Sequence, residues 1–245
     1  MTEATLPAWD SVLAVVAHPD DESFALGAVL SAFTARGSRV SILCLTRGEA
    51  STLRGVVGDL AEIRAKELAE AAEELSITDV TLCAYPDGGL PDVDGAVLRH
   101  EVMEAAEAAS PDGFIVFDPS GVTGHPDHQC ATVMATDVAE TLGLPVLGWT
   151  VPNDVANELN AEFGTGFIGH HPADIDLVLP VNRAAQRRAL VCHPSQAVPG
   201  SALWRRLDLL GDAEHLRGLS SQTYTRHSPA PGRSPETQQQ EGRHS

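Results

Sequence analysis

Short apolar runs separated by longer stretches of helical periodicity constrain this chain more tightly than any other feature. SVLAVVA (11–17) is almost wholly apolar and ends at His18-Pro19, which suits a strand buried on both faces. A helical segment follows at about 23–36, closed by Gly37, and RVSILCLT (39–46) is the next strand. Residues 59–75 carry the clearest helix. Asp59 with Glu62 three positions on resembles a capping box, and Leu60, Ile63, Leu68, Ala71 and Leu75 recur at roughly helical spacing. Strand DVTLCAY (79–85), loop PDGGLPDVD, helix 96–109, strand GFIVFDP (113–119) and helix 127–142 continue the alternation. VLGWTV (146–151) and DLVLPV (176–181) read as strands, and NRAAQRRALVCH (182–193) and ALWRRLDLL (202–210) as late helices.

Strands joined through helices of this length need crossovers. The expected fold is therefore α/β and Rossmann-like, a mainly parallel sheet with helices on both faces. Such sheets gather function at the carboxyl ends of their strands. After Tyr224 the chain holds no large apolar residue. It has nothing to bury against its ordering entropy, so the expected division is a domain over 1–219 and a disordered polar tail over 220–245.

Charge narrows the partners. With 34 acidic against 16 basic residues the net charge is −18, which argues against nucleic acid or an anionic membrane as the main partner, since both reward clustered Lys and Arg. A small-molecule substrate fits better. No apolar run approaches the roughly 18 residues of a membrane span, and the short N-terminal apolar stretch lacks a basic region before it. Cys44, Cys83, Cys130 and Cys192 lie far apart without a CxxC, as in a cytoplasmic protein with free thiols. A homo-oligomer stays open.

Two strings carry chemistry. AHPDDES (17–23) follows the first strand, and GHPDHQ (124–129) follows FIVFDP and opens a helix. Each concentrates His and Asp where a strand gives way to a helix. His18 and Asp21 are three apart, as are His125 and His128, so one turn can aim each pair at one point. Two imidazoles and a carboxylate with an open position make a catalytic zinc site, in which the ion lowers the pKa of bound water and polarises a carbonyl. Asp20 and His125 are left as an acid/base pair. A lone HPD is an ordinary turn, because Pro after His and Asp before a helix are both locally favoured. Two of them, both at strand ends, are harder to explain as turns.

Ala17-His18-Pro19-Asp20-Asp21-Glu22 and His125-Pro126-Asp127-His128 resemble the paired signatures of the LmbE-like, or PIG-L, metal-dependent de-N-acetylases. The resemblance extends to TRGEAS (46–51), EIRAKELAEAAEEL (62–75), YPDGGL (85–90) and ALVCHPSQ (189–196). It implies an N-acetyl hydrolase acting on an N-acetylglucosamine-type amino sugar. His18, Asp21 and His128 are then the ligands of Zn2+, with Fe2+ as the alternative. Asp20 is the base toward metal-bound water, and His125, protonated, stabilises the oxyanion. Asp127 tunes His125 or orients a neighbour.

Weaker signals surround these. Arg54, in the loop after the second strand, is a candidate contact for a substrate phosphate or hydroxyl, and Asp87 in PDGG for sugar hydroxyls, with surface solvation and turn formation as the competing readings. Arg47 and Glu49 begin the same loop. His193, Ser195 and Gln196 form a family segment of unassigned role. Adjacent His170 and His171 suit solvent exposure. Gly164–Gly169 spells GxGxxG but follows a helical pattern and precedes HHPADID, the wrong setting for a dinucleotide. The rival activities are cleavage of a larger amide, such as a mycothiol S-conjugate, and non-haem iron(II) oxidation, whose facial triad also uses two His and a carboxylate.

Overall fold

The computed structural model describes residues 5–53 and 57–219, and the predicted tail lies outside them. Its centre is a seven-stranded sheet of order β3-β2-β1-β4-β5-β7-β6. The strands are β1 (Ser11–Val16), β2 (Arg39–Thr46), β3 (Asp79–Tyr85), β4 (Gly113–Phe117), β5 (Val146–Thr150), β6 (Leu177–Pro180) and β7 (Ala213–Gly218). β1 pairs in parallel with β2 (Val12 opposite Val40) and with β4 (Val12 opposite Gly113), and β2 with β3 and β4 with β5 are parallel too. Only β7 runs against its neighbours, between β5 and β6. The sheet is the mainly parallel one that the alternation predicts.

β1 shows why its sequence is apolar at successive positions. Val12, Ala14 and Val16 face a core shared with Leu30 and Phe33 of α2 (Gly27–Ala35) and Leu68 and Ala71 of α3 (Leu60–Glu74). Leu13 and Val15 face a second core with Leu98 and Val102 of α4 (Gly95–Ala109) and Ala135 and Val138 of α6 (Pro126–Leu142). With both faces covered by helices, a large apolar side chain buried on either stabilises the fold by about 1.5–3 kcal/mol.

Three details differ from expectation. The helix expected over 23–36 is two: α1 (Asp21–Phe24) and α2, with Gly27 packed so closely on Gln186 that a Cβ there would lie 3.0 Å from its Cγ. β4 ends at Phe117, and a further short helical turn, α5 (Gly121–Gly124), precedes α6. β7 gave no strand signal, since AEHLRG lacks an apolar run; its Glu214 is nonetheless fully buried, paired with Arg183. α7 (Asn153–Phe163), α8 (Ala184–Val191) and α9 (Ala202–Leu210) complete the chain. Among the described residues no helix is long and apolar enough to cross a membrane.

Candidate metal centre and active site

The strand order reverses at β1, whose neighbours are β2 and β4, and the crevice outside the carboxyl ends of β1 and β4 is where such sheets hold ligands. Both signature strings end there. After β1, Asp21 opens α1; its Oδ2 accepts from the backbone N–H groups of Ala17 (3.2 Å) and His18 (2.9 Å), which folds the carboxylate back over the turn. After β4, His125 caps α6 by accepting the Asp127 N–H at Nδ1 (3.2 Å), Pro126 occupies the first helical position, and His128 follows on the first turn. The HPDH string is thus a helix start whose cap and third residue both face the crevice.

Four atoms of three residues converge. His18 Nδ1 lies 3.2 Å from His128 Nε2, Asp21 Oδ1 lies 3.3 Å from His128 Nε2, and Asp21 Oδ2 lies 3.6 Å from His18 Nδ1. The far nitrogens of both rings are committed. His18 Nε2 meets only carboxylate acceptors, Asp87 Oδ1 at 3.1 Å and Asp127 Oδ2 at 3.2 Å, and His128 Nδ1 meets the Gly121 carbonyl at 3.2 Å. In the neutral rings the facing nitrogens therefore both present lone pairs beside a carboxylate, an arrangement that a proton on one ring or a metal ion between them satisfies. Ligands about 2.0–2.1 Å from one tetrahedral ion stand about 3.3–3.4 Å apart, so the spacing of the two ring nitrogens and of the Asp21 carboxylate fits a divalent ion such as zinc. Ligand-type atoms of His125 also lie within 4.8 Å of His18 and His128.

Electrostatics point the same way. Burial opposes protonation of His18, but Asp127, Asp21 and Asp87 outweigh it and push its pKa to about 12. Burial also disfavours the charged Asp21, yet the rings of His128 and His18 hold its carboxyl well below the usual range. The cluster carries an excess of negative charge that a proton or a metal ion satisfies.

Asp20 stands beside it in an unusual backbone state, φ 130°, which L-residues rarely adopt. Burial raises its carboxyl to about 6 against the opposing pull of Arg64, whose guanidinium lies 3.1 Å from Oδ2. Arg64, on α3, is 3% exposed and also donates to the carbonyls of Gly48 (2.6 Å) and Pro19 (2.5 Å). His125 is held neutral by burial and by the neighbouring rings of His128 and His18.

These groups share one cavity of about 540 Å3, which His18, Asp20, Asp21, His125 and His128 line on one side. Its other walls are largely apolar, among them Phe24, Phe117, Trp149, Phe167 and Leu203. Asp87 lines it too, with Oδ2 accepting from the Ala50 N–H at 2.8 Å. Asp127 is fully buried and accepts from the N–H groups of Gly88 (2.7 Å) and Leu90 (3.1 Å) besides His18, so the neighbour it orients is His18. Glu49 accepts from the Asp87 N–H. Arg54 lies outside the described residues. His170, expected to face solvent, instead bonds the buried Asp118 at 3.0 Å. The GxGxxG string is a loop beyond α7.

Sequence reading passed over Arg64 and Glu67 inside EIRAKELAEAAEEL. A cation and an anion on an otherwise amphipathic helix look like solvated positions; the only signal was that both fall near the apolar face shared by Leu68 and Ala71.

A family model described as GlcNAc-PI de-N-acetylase (PIG-L) matches residues 13–139. A Bacillus anthracis protein named "Probable N-acetyl-alpha-D-glucosaminyl L-malate deacetylase 2" is 34% identical over 169 residues, covering 67% of this chain and 69% of that one. A 1D-myo-inositol 2-acetamido-2-deoxy-alpha-D-glucopyranoside deacetylase of Streptomyces scabiei is 34% identical over 142 residues. That match covers 48% of this chain, which spans less than half of the relative's length, 44%. Among solved structures, N,N'-diacetylchitobiose deacetylase from Pyrococcus horikoshii superposes with TM-score 0.65 at 21% identity, covering 86% of this chain and 84% of its own. GalB, a 4-carboxy-2-hydroxymuconate hydratase from Pseudomonas putida, superposes with TM-score 0.59 at 18% identity over 93% of this chain and 99% of its own. These two likenesses establish the fold alone, and one fold here serves a hydrolase and a hydratase.

Proposed function

The chain belongs to the family of GlcNAc-PI de-N-acetylases (PIG-L), and from that membership we propose that it hydrolyses the amide of an N-acetylglucosamine-type substrate in the cytoplasm. The observation that carries this reading is the convergence of His18 Nδ1, Asp21 and His128 Nε2 at the β1/β4 crevice, with Asp20 and His125 on the same cavity. Cytoplasmic placement is supported by the four cysteines, all of them free.

His18, Asp21 and His128 would hold Zn2+, with Fe2+ as the alternative. When bound, such an ion supplies Lewis-acid chemistry, polarising an amide carbonyl and acidifying water. The remaining steps belong to the chain. Asp20 accepts a proton from the water that attacks the acyl carbon. It then returns that proton to the amine nitrogen as the C–N bond breaks, leaving acetate and a free amino sugar. A carboxyl raised to about 6 is suited to both tasks near neutral pH. His125 accepts the Asp127 N–H at Nδ1, so its Nε2–H is the donor toward the carbonyl oxygen as charge develops there. This role needs no added proton on a ring that burial and two neighbouring imidazoles keep neutral. Asp87, on the cavity wall, and Arg54, next in sequence to the cavity-lining Leu53, are proposed substrate contacts.

A second reading is cleavage of a larger amide: at about 540 Å3 with aromatic walls the cavity is of ordinary small-molecule size and accommodates either substrate. Amine release from N-acetylglucosamine, its inositol and malate glycosides, chitobiose and a mycothiol S-conjugate distinguishes the two, run on zinc-loaded wild type and Asp20→Asn. Release of acetate from an N-acetyl substrate by wild type, reduced about 10²–10⁴-fold in Asp20→Asn, is the expected result. Cleavage of the S-conjugate alone would select the second reading, and equal rates in both proteins would remove Asp20 from the mechanism.

A further inference from the structure

Behind the reaction centre lies a fully buried cluster that the mechanism above does not use. His193 follows α8 and has no exposed surface; its Nε2–H donates to Glu22 Oε1 at 2.8 Å. Glu22, also fully buried, turns its other oxygen, Oε2, to accept the backbone N–H of Asp20 at 2.8 Å. Ser23 Oγ donates to Oε1 as well (2.5 Å). On the opposite side of the ring, His193 Nδ1 has no hydrogen-bond partner among the described residues and stands 3.9 Å from Glu67 Oε2. Glu67 is itself held by the N–H (2.9 Å) and hydroxyl (2.6 Å) of Ser195. Gln196 completes the segment by accepting from the Ser51 hydroxyl (2.8 Å) at the cavity wall.

A residue at φ 130° persists only where its surroundings over-determine it. Arg64 grips the Pro19 carbonyl and the Asp20 carboxylate, but among the described residues only Glu22 holds the Asp20 N–H. Glu22 in turn is fixed in a buried site by an imidazole flanked by two carboxylates. We infer that His193 is a positioning residue: through Glu22 it locks the Asp20 peptide in its strained state and so keeps the Asp20 carboxylate on the cavity wall. This rests on the proposed role of Asp20 as proton carrier. The ring touches no atom of the reaction, and its effect passes through one carboxylate.

The test uses the full-length zinc-loaded protein, with His193→Phe removing the donor and His193→Gln retaining an N–H. In His193→Phe, kcat is expected to fall about 10–100-fold with KM within about threefold of wild type. His193→Gln recovers most of the loss. In the Glu22→Gln background the His193→Phe effect shrinks to about threefold or less, because both changes break one chain. Amide hydrogen exchange supplies a readout independent of turnover: the Asp20 N–H is protected in wild type and exchanges about tenfold faster or more in His193→Phe. Unchanged protection in a folded His193→Phe protein, or additive losses in the double variant, would overturn the inference. If wild type cleaves no amide at all, the proposed function falls, and the exchange measurement still decides whether His193 fixes the Asp20 peptide.

Discussion

Asp127 shows how far a single carboxylate reaches in this site. Fully buried, it accepts from two backbone N–H groups of the Gly88–Leu90 loop and from His18 Nε2, which leaves His18 Nδ1 as the nitrogen open to the proposed metal. Replacing it by Asn puts an NH2 group where only acceptors fit: at the Oδ2 position it opposes both the Gly88 N–H and His18 Nε2–H, and at the Oδ1 position the Leu90 N–H. In either placement the side chain is pushed off its seat, and His18 loses orientation without losing a ligand atom. Asp127→Asn is therefore expected to weaken zinc binding about 10–100-fold, measured by competition with a chromophoric chelator. Asp87, which also faces His18 Nε2, keeps the ring from going free. An unchanged affinity would mean that Asp87 alone orients His18.

At the scale of elements, the two ends of one strand do separate work. Phe117, at the carboxyl end of β4, packs against His128 with centroids 4.5 Å apart and the rings tilted by 49°. Gly113, at the amino end, lies under Trp9, where an added Cβ would meet the indole ring at 2.4 Å. Trp9 is itself stacked on Phe33 of α2, so it cannot yield without disturbing the core. Gly113→Ala should cost about 1–3 kcal/mol, read as a lower urea midpoint. Zinc affinity should stay within about twofold, since four strand steps of about 3.3 Å separate the two ends. The same contrast explains what the sequence made legible. β1, β2, β4 and β5 announce themselves because burial on both faces demands apolar runs, and the candidate site pairs because His18 with Asp21 and His125 with His128 sit within single turns. β7 stayed hidden because its buried Glu214 is satisfied by Arg183, 31 residues earlier in the chain. Arg64 with Asp20 and His193 with Glu22 are pairs across separate elements, the latter 171 residues apart. No local pattern records such pairs; only the folded sheet does.

For the whole molecule, the proposed metal centre would tie the two halves of the sheet together as well as serve the proposed reaction. His18 and Asp21 come from the β1 loop and His128 from α6, beyond β4, so an ion bound by all three joins segments 110 residues apart. Five of the chain's carboxylates and imidazoles (His18, Asp21, Asp87, Asp127 and His128) are crowded into contact there, and in an acidic protein of net charge −18 no surplus of basic residues offsets them. The unfolded chain cannot assemble this donor set, so zinc should stabilise the native state by mass action. At free zinc about a thousandfold above Kd the gain is about 4 kcal/mol, which for a chain of this size raises Tm by roughly 8–16 °C. Calorimetry of the chelator-treated protein, before and after zinc is restored, measures it. His128→Ala should abolish the shift, since two ligands on one loop no longer tie it to α6. A zinc-dependent rise that survives His128→Ala would place the ion elsewhere.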